Sequence, residues 1–165
     1  MEEHSMFEKV YQTVRSLHNE GRHARIVELI THTEGFDTDY RLTCYLARAH
    51  NNMNNYDEAI VLLESVAEQG KEDALWYYRM GYSLFYKHQD RENLEKALAL
   101  VQKSWEIGGE VALDLLATIK KHLGYDLTAE EADMYNEVLR NIRSREKEES
   151  IFDDNEWKNK KKGRV

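Results

Sequence analysis

An internal repeat of about 34 residues constrains the fold of this chain more than any other feature. A bulky apolar residue precedes a small one at positions 46–47 and again at positions 80–81, which lie 34 residues further on. A second pair of small residues, Ala59 and Ala97, is 38 residues apart, and an aliphatic residue follows each of them four residues later. Apolar residues at this spacing predict amphipathic helices, and a period of this length predicts a helical hairpin that is used more than once.

The connections between these helices carry turn signals. Residues 51–55, Asn-Asn-Met-Asn-Asn, predict the turn of the first hairpin, because asparagine tolerates the left-handed backbone conformation that ends helices. The second hairpin has four more residues between its two small residues. We expect this insertion to lie in its turn, within residues 88–92.

Weaker copies of the hairpin lie on both sides of these two. Upstream, a turn at residues 19–22 separates two apolar stripes, which are Val10, Val14 and Leu17 and then Ile26, Leu29 and Ile30. Downstream, two glycines at positions 108–109 interrupt the chain, and a further stripe precedes Gly124; its members are Val111, Leu113, Leu116, Ile119 and Leu123. Residues 128–131, Thr-Ala-Glu-Glu, match the capping box that begins a helix.

Charge and cysteine content narrow the class of protein. The net charge is −8 at pH 7, and five basic residues lie among the last eight, so residues 1–157 carry −13. A body this acidic repels nucleic-acid backbones.

The single cysteine, Cys44, excludes an internal disulfide and predicts a buried or half-buried structural thiol in a cytoplasmic protein. No run of about 18 apolar residues occurs, so we expect no membrane span.

Motifs for catalysis and for cofactors are missing from the sequence. The seven histidines form no HExxH pair, and none has a cysteine at zinc spacing. No glycine-rich phosphate loop follows a strand, and no nucleophile elbow is present. We therefore expect neither an enzyme nor a bound cofactor or metal.

The hairpins resemble the tetratricopeptide repeat (TPR) family. Residues 43–66 are similar to one unit through Leu46, Ala47, Tyr56, Ala59 and Leu63, and residues 77–104 to a second through Tyr77, Met80, Gly81, Leu84, Ala97 and Val101. Residues 76–82, Trp-Tyr-Tyr-Arg-Met-Gly-Tyr, are the strongest match, whereas the proline that the family often carries after the second helix is missing. The alternative is a helical bundle without repeats.

The resemblance implies an all-α, right-handed superhelical array of about three to four antiparallel hairpins. We expect it to occupy residues 1–146 as one domain. Residues 147–165 are predicted to form a charged, disordered tail, whose basic cluster at 158–164 is either solvated or in contact with an anionic surface.

In arrays of this kind the first helices line the concave side, which repeat proteins commonly use for binding. Residues that lie off the core stripe of each first helix are predicted to face this groove: Tyr11, Arg15, Arg41, Tyr45, Arg48, Asn52, Tyr78, Arg79, Tyr82 and Tyr86. We also place His18 there and, in the fourth hairpin, Asp114, Thr118 and Lys121. In the first three hairpins the set contains arginines and tyrosines but no carboxylate.

Arginine grips carboxylates with a planar fork, and both residue types are common at binding hot spots. The expected function is a non-catalytic protein–protein interaction module, an adaptor or scaffold. Its expected ligand is a peptide segment or partner protein that presents acidic or carboxylate groups. The alternative for these side chains is packing between hairpins, or pairing with neighbouring glutamates on a solvated surface.

Some TPR proteins hold the terminal carboxylate of heat-shock chaperones with lysines and asparagines of the groove. The corresponding slots here hold Tyr11, Arg15 and Tyr45, and only Arg79 fits, so the resemblance does not favour that function. A dedicated chaperone or toxin-neutralising (immunity-type) protein that forms a tight complex with one partner is the main alternative. A subunit that regulates an enzyme is a further one. We expect a monomer or a weak homodimer, with the Trp105 region as the surface for self-association.

Overall fold

The computed structural model describes the backbone of residues 2–144 and the side chains of residues 5–144. It divides into two compact units, one ending at Tyr125 and one beginning at Asp126. Within the described residues the first unit contains α1 (Glu2–Asn19), α2 (His23–Thr31), a 3-10 helix (Phe36–Thr38), α3 (Tyr40–Asn52), α4 (Tyr56–Ser65), α5 (Ala67–Gly70), α6 (Ala74–Lys87), α7 (Arg91–Glu106) and α8 (Ala112–Leu123).

The helices of the first unit pack as successive hairpins. Helix α1 pairs with α2, α3 with α4, and α6 with α7 across short turns. Each hairpin contacts the helix that follows it, since α2 contacts α3, α4 contacts α6, and α7 contacts α8. The first helices also meet in order, since α1 contacts α3, α3 contacts α6, and α6 contacts α8. This arrangement confirms the all-α array of hairpins, and the part of the chain that is described contains no strand.

Small residues lie where the helices pack, as the repeat predicts. Ala47, Ala59 and Ala97 have no exposed surface. A Cβ atom on Gly81 would lie 2.5 Å from Cγ2 of Val101, so only glycine permits this approach of α6 to α7. Ala47 and Ala59 belong to one cluster of buried residues with Leu63 and Trp76, and the indole of Trp76 donates a hydrogen bond to the carbonyl of Leu63 at 2.9 Å.

Of the two predictions for the turns, the one for asparagine is confirmed and the one for the insertion is wrong. Asn54 has a left-handed φ of 62°, which confirms the role predicted for asparagine, although residues 51 and 52 still belong to α3. The insertion expected within residues 88–92 is not in the turn, because residues 53–55 and 88–90 form turns of equal length. The additional residues extend the helices α6 and α7 instead.

Aspartates begin three of the helices. Asp39 accepts from the backbone N–H groups of Arg41 and Leu42, Asp73 accepts from Leu75, and Asp90 accepts from Asn93, at 2.9 to 3.2 Å. Such caps satisfy donors that have no partner within the helix. The caps of α3 and α6 lie 34 residues apart and therefore follow the repeat.

The second unit is described as far as residue 144 and consists of one helix, α9, over residues 129–144. Its capping box is formed as predicted. Thr128 Oγ1 accepts from the backbone of Glu131 at 3.2 Å, and Glu131 Oε2 accepts from the backbone of Thr128 at 3.0 Å. The boundary predicted at residue 146 and the tail predicted over 147–165 lie outside the described residues.

Candidate binding groove

A pocket of about 290 Å³ opens between α3, α6 and the residue that precedes α8. We call it the arginine pocket, and its lining consists of Arg48, Asn51, Asn52, Leu75, Tyr78, Arg79, Tyr82 and Val111. Five of the ten groove residues predicted from the sequence are in this lining: Arg48, Asn52, Tyr78, Arg79 and Tyr82.

Helical spacing places these side chains together. Arg48 and Asn52 are four residues apart on α3, and Tyr78 and Tyr82 are four residues apart on α6, so each pair shares one face of its helix. Because α3 contacts α6, the two faces meet. The pocket therefore lies between the first helices of two adjacent hairpins.

A buried hydrogen-bond group holds α3 against α6 beneath the pocket. Asn51 is 4% exposed, its Oδ1 accepts from the Ser83 hydroxyl at 2.8 Å, and its Nδ2 donates to the Arg79 carbonyl at 3.4 Å. The same hydroxyl is 2.9 Å from the Arg79 carbonyl. The sequence predicted Asn51 as part of a turn and gave Ser83 no role, whereas Asn51 belongs to α3 and Ser83 to α6. They fix the backbone that carries the Arg79 side chain.

The arginine pocket brings two positive charges together. Among the described residues, neither Arg48 nor Arg79 forms an ion pair with a carboxylate. Burial lowers the pKa of Arg48, and the nearby charge of Arg79 lowers it further. Burial also lowers the pKa of His18, and Arg48 is the largest charge that adds to this effect. Two guanidinium groups held close together in a partly buried site favour the binding of an anion.

The carboxylate of Asp114 lies near Tyr78, one of the two tyrosines that line the pocket. Burial raises the pKa of Tyr78, and the charges of Tyr86 and Asp114 contribute in the same direction. Asp114, Thr118 and Lys121, the predicted continuation of the groove on α8, are not in the lining of the arginine pocket. Thr118 instead donates its hydroxyl to the carbonyl of Asp114 at 2.9 Å.

The remaining predicted residues of α1 and α3 form an aromatic cluster beside the arginine pocket, in which Tyr45 hydrogen-bonds Arg48. The rings of Tyr11 and Tyr45 meet edge to face with their centroids 5.6 Å apart, and Tyr45 also lies 6.1 Å from the ring of His18. The guanidinium groups of Arg41 and Arg15 lie 4.5 and 5.9 Å from the Tyr11 ring.

For Arg41 the structure shows the alternative that the sequence left open, which is pairing with neighbouring carboxylates. Arg41 forms ion pairs with Glu8 at 2.9 Å and with Asp39 at 3.1 Å. These partners raise the pKa of Arg41 and leave its guanidinium engaged. Arg41 therefore differs from Arg48 and Arg79, although the helical period places all three in one predicted groove.

A row of four tyrosines runs outward from the arginine pocket. Successive ring centroids are 6.2, 4.5 and 6.0 Å apart along this tyrosine row, which consists of Tyr78, Tyr82, Tyr86 and Tyr56. Tyr86 is 45% exposed, and its ring stacks on that of Tyr56. The core position that the family resemblance implies for Tyr56 is thus replaced by a half-buried position at the surface.

One residue predicted for the core of α8 belongs to the pocket instead. Val111 immediately precedes α8 and is 50% exposed, so its assignment to the apolar core stripe is wrong. The other members of the stripe, from Leu113 to Leu123, are buried as predicted. Val111 and Leu75, which is 43% exposed, give the pocket an apolar rim.

Other chemically active groups are buried or isolated. Cys44 is buried, as predicted, and burial raises the pKa of its thiol, which suppresses the reactive thiolate. Residues 5–144 contain no cluster of three or more side chains suited to a metal ion. None of the described helices is both long and apolar enough to cross a lipid bilayer.

The fold of the chain is that of TPR-like helical hairpins, and two solved structures share it. MamA from residue 41 to its end, from Desulfovibrio magneticus RS-1, has a TM-score of 0.63 and 21% sequence identity over 83% of this chain and 76% of its own. A MamA RS-1 ArsTM double mutant has a TM-score of 0.62 and 22% identity over 84% of this chain and 76% of its own. No protein-family profile and no curated protein matches the sequence.

Proposed function

We propose that this protein is a non-catalytic interaction module that binds the acidic side chains or terminal carboxylate of a partner protein in the arginine pocket. The observation that carries the proposal is the placement of Arg48 and Arg79 in one pocket, where neither forms an ion pair with a carboxylate of residues 5–144. Burial and then the nearby charge of Arg79 lower the pKa of Arg48, and a carboxylate that enters between the two arginines offsets both effects.

The other residues of the pocket support a ligand with both polar and apolar parts. Asn52 is exposed and supplies an amide donor, whereas Asn51 is occupied by its bonds to α6. The rings of Tyr78 and Tyr82 offer broad apolar contact at low entropic cost. The fold supports the same role, because helical repeat arrays use the surface of their first helices for binding.

The direct test measures the affinity of fluorescein-labelled, amidated peptides that carry Asp-Asp or Glu-Glu, with Asn-Asn and Gln-Gln peptides as the neutral counterparts. We expect the acidic peptides to bind and the neutral ones to bind at least tenfold more weakly. Arg48→Glu together with Arg79→Glu abolishes this binding, because two carboxylates then occupy the pocket. Increasing salt weakens the binding of the acidic peptides.

A matched control separates the pocket from general charge. Arg22→Glu together with Arg25→Glu makes the same change in net charge at exposed positions beside α2, where both arginines already pair with glutamates. We expect this variant to bind as the wild type does, and circular dichroism to show equal helical content for all three proteins. Equal binding by the pocket variant contradicts the proposal.

The same three proteins, used as bait in native extract, identify the natural partner by mass spectrometry. A partner that is retained by the wild type and by the Arg22→Glu, Arg25→Glu control, but not by the pocket variant, is the expected result. If this protein binds no isolated acidic peptide but recovers one partner in stoichiometric amount, the result would instead favour the dedicated chaperone or immunity-type protein.

A further inference from the structure

The tyrosine row begins inside the arginine pocket and ends outside it. Tyr78 and Tyr82 line the pocket, whereas Tyr86 and Tyr56 continue the row toward the start of α4. Each ring contacts the next, and the exposed fraction rises from the half-buried Tyr78 to Tyr86, which is 45% exposed. The row therefore forms a continuous aromatic surface that leads away from the two arginines.

The outer end of this row does not select for charge. Lys87 and Asp57, the charged neighbours of Tyr86 and Tyr56 in sequence, form an ion pair with each other. Tyr56 directs its hydroxyl to Asn54 at 2.8 Å and leaves its ring stacked on Tyr86. What this end offers is the apolar surface of two rings, and aromatic side chains pair well with such rings.

The length of the row sets the reach of a ligand. The step from Tyr82 to Tyr86 is 4.5 Å and that from Tyr86 to Tyr56 is 6.0 Å between ring centroids. An extended segment advances about 3.3 Å per residue. It therefore crosses from the pocket to the outer rings in about three residues.

We infer that the partner docks as an extended segment with two anchors, and this inference rests on the proposed function for the first of them. An acidic side chain enters the arginine pocket, and an aromatic side chain about three residues away packs on Tyr86 and Tyr56. Charge complementarity at Arg48 and Arg79 places the first anchor, and the tyrosine row places the second. The ligand class is thus an acidic and aromatic peptide motif, rather than any acidic segment.

The rim of the pocket offers an alternative path for the bound peptide, which the experiment has to distinguish from the tyrosine row. Leu75 and Val111 form this apolar rim, and both are exposed. A segment that leaves across them needs an aliphatic residue beside the acidic one. The tyrosine row is favoured because its four rings form one unbroken surface, whereas the rim is made by two aliphatic side chains from α6 and the residue before α8.

The experiment uses ten-residue, fluorescein-labelled, amidated peptides with one Asp-Asp pair in a Gly-Ser background. A single Phe or Ala is placed two, three or four residues before or after the pair, and affinity is measured by fluorescence anisotropy. The proteins are the full-length wild type, Tyr56→Ser with Tyr86→Ser, and Leu75→Ser with Val111→Ser. Tyr125→Ser, which removes a tyrosine that is 41% exposed elsewhere in the unit, is the matched control.

We expect a Phe about three residues from the acidic pair to increase affinity at least tenfold over Ala. This gain disappears in the Tyr56→Ser, Tyr86→Ser variant and persists in Tyr125→Ser. Equal affinity of the Phe and Ala peptides overturns the inference and leaves the proposed function intact. A gain that is lost only in the Leu75→Ser, Val111→Ser variant overturns it in favour of the path across the rim, and no binding by any peptide overturns both proposals.

Discussion

Ser83 donates its hydroxyl to Oδ1 of Asn51 across 2.8 Å, and this bond joins two adjacent hairpins at a point without solvent. Asn51 uses its amide nitrogen on the carbonyl of Arg79 in the same place. A buried polar pair of this kind stabilises little by itself, but removing one partner leaves the other unsatisfied.

Asn51→Ala is therefore expected to lower the free energy of unfolding by about 1–3 kcal/mol. Ser83→Ala should cost less, because Asn51 keeps its bond to the Arg79 carbonyl. Urea denaturation of the two single variants and of the double variant gives the coupling energy. Strictly additive effects would show that the two residues do not act together.

The close contact of α6 with α7 predicts the effect of a substitution at Gly81. Alanine ordinarily stabilises a helix by about 1 kcal/mol relative to glycine. Here the added Cβ would lie 2.5 Å from Cγ2 of Val101 and 3.2 Å from the carbonyl of Ala97. Gly81→Ala is expected to lower the free energy of unfolding by about 1–3 kcal/mol.

The control removes the atom that causes this contact. Val101→Ala is destabilising in the wild type because it leaves a cavity, but its cost should be smaller when Gly81→Ala is already present. Thermal or urea unfolding of the four proteins measures the difference. An increase in stability for Gly81→Ala alone is incompatible with the packing described.

The surroundings of His18 predict how stability depends on pH. Burial, followed by the charges of Arg48, His23 and Arg79, lowers the pKa of His18 below the value of about 6.5 that it has when unfolded. The unfolded chain therefore binds this proton more readily than the folded protein does. The free energy of unfolding should fall as the pH decreases from 7.5 through 6.5 to 5.5.

His18→Gln should reduce this loss, which urea denaturation at the three pH values measures. The comparison is made in a His50→Gln background, because burial also lowers the pKa of His50 and gives the same sign. Asp39, whose pKa is lowered by hydrogen bonds from Arg41 and the backbone despite its burial, titrates below this range. An unchanged pH dependence in His18→Gln would rule out His18 as its source.

The contrast between Arg41 and Arg48 shows how far the sequence could lead. The repeat and the helical period were sufficient to place both on the first helix of one hairpin, and they brought five predicted residues into one pocket. They could not show that Glu8, 33 residues before Arg41, reaches its guanidinium. Such a pair depends on the rotation of α1 against α3, which no local pattern contains.

Val111 and Tyr56 were misassigned for a similar reason. Val111 occurs where an apolar stripe begins, and the period alone does not tell whether the first residue of a stripe is covered by the neighbouring hairpin. The core position of Tyr56 was implied by the family resemblance, which does not fix how far the neighbouring hairpin covers its ring. The structure leaves Val111 50% exposed and stacks Tyr56 on Tyr86. The Asn51 and Ser83 pair was missed because the run of asparagines at 51–55 predicts a turn at Asn51. Asn51 instead belongs to α3, and the contact of α3 with α6 makes it the partner of Ser83.

The ion pairs of Arg41 give a further prediction. Arg41→Gln is expected to lower the free energy of unfolding by about 1 kcal/mol, because a half-exposed ion pair and a cation–π contact with Tyr11 are lost. The affinity for acidic peptides should stay within about twofold of the wild type, since Glu8 and Asp39 already occupy this guanidinium. Anisotropy and urea denaturation check both parts. A loss of affinity as large as that of the Arg48→Glu, Arg79→Glu variant would mean that Arg41 binds the ligand directly.

The arginine pocket predicts a conflict between stability and binding. In the free protein Arg48 is partly buried, lies near Arg79 and has no carboxylate partner among the described residues. Replacing an uncompensated charge by an apolar side chain of similar length removes the repulsion and keeps the packing of the aliphatic stem. Arg48→Met should therefore raise the free energy of unfolding by about 1 kcal/mol.

The same substitution should reduce the affinity for Asp-Asp peptides at least tenfold, because one of the two guanidinium groups is lost. An acidic peptide at saturating concentration should raise the Tm of the wild type and have little effect on that of Arg48→Met. Differential scanning fluorimetry with and without the peptide measures both quantities, and Arg25→Met serves as the exposed control. If Arg48→Met destabilises the free protein and leaves peptide affinity unchanged, Arg48 supports the fold and the pocket does not use it to hold an anion.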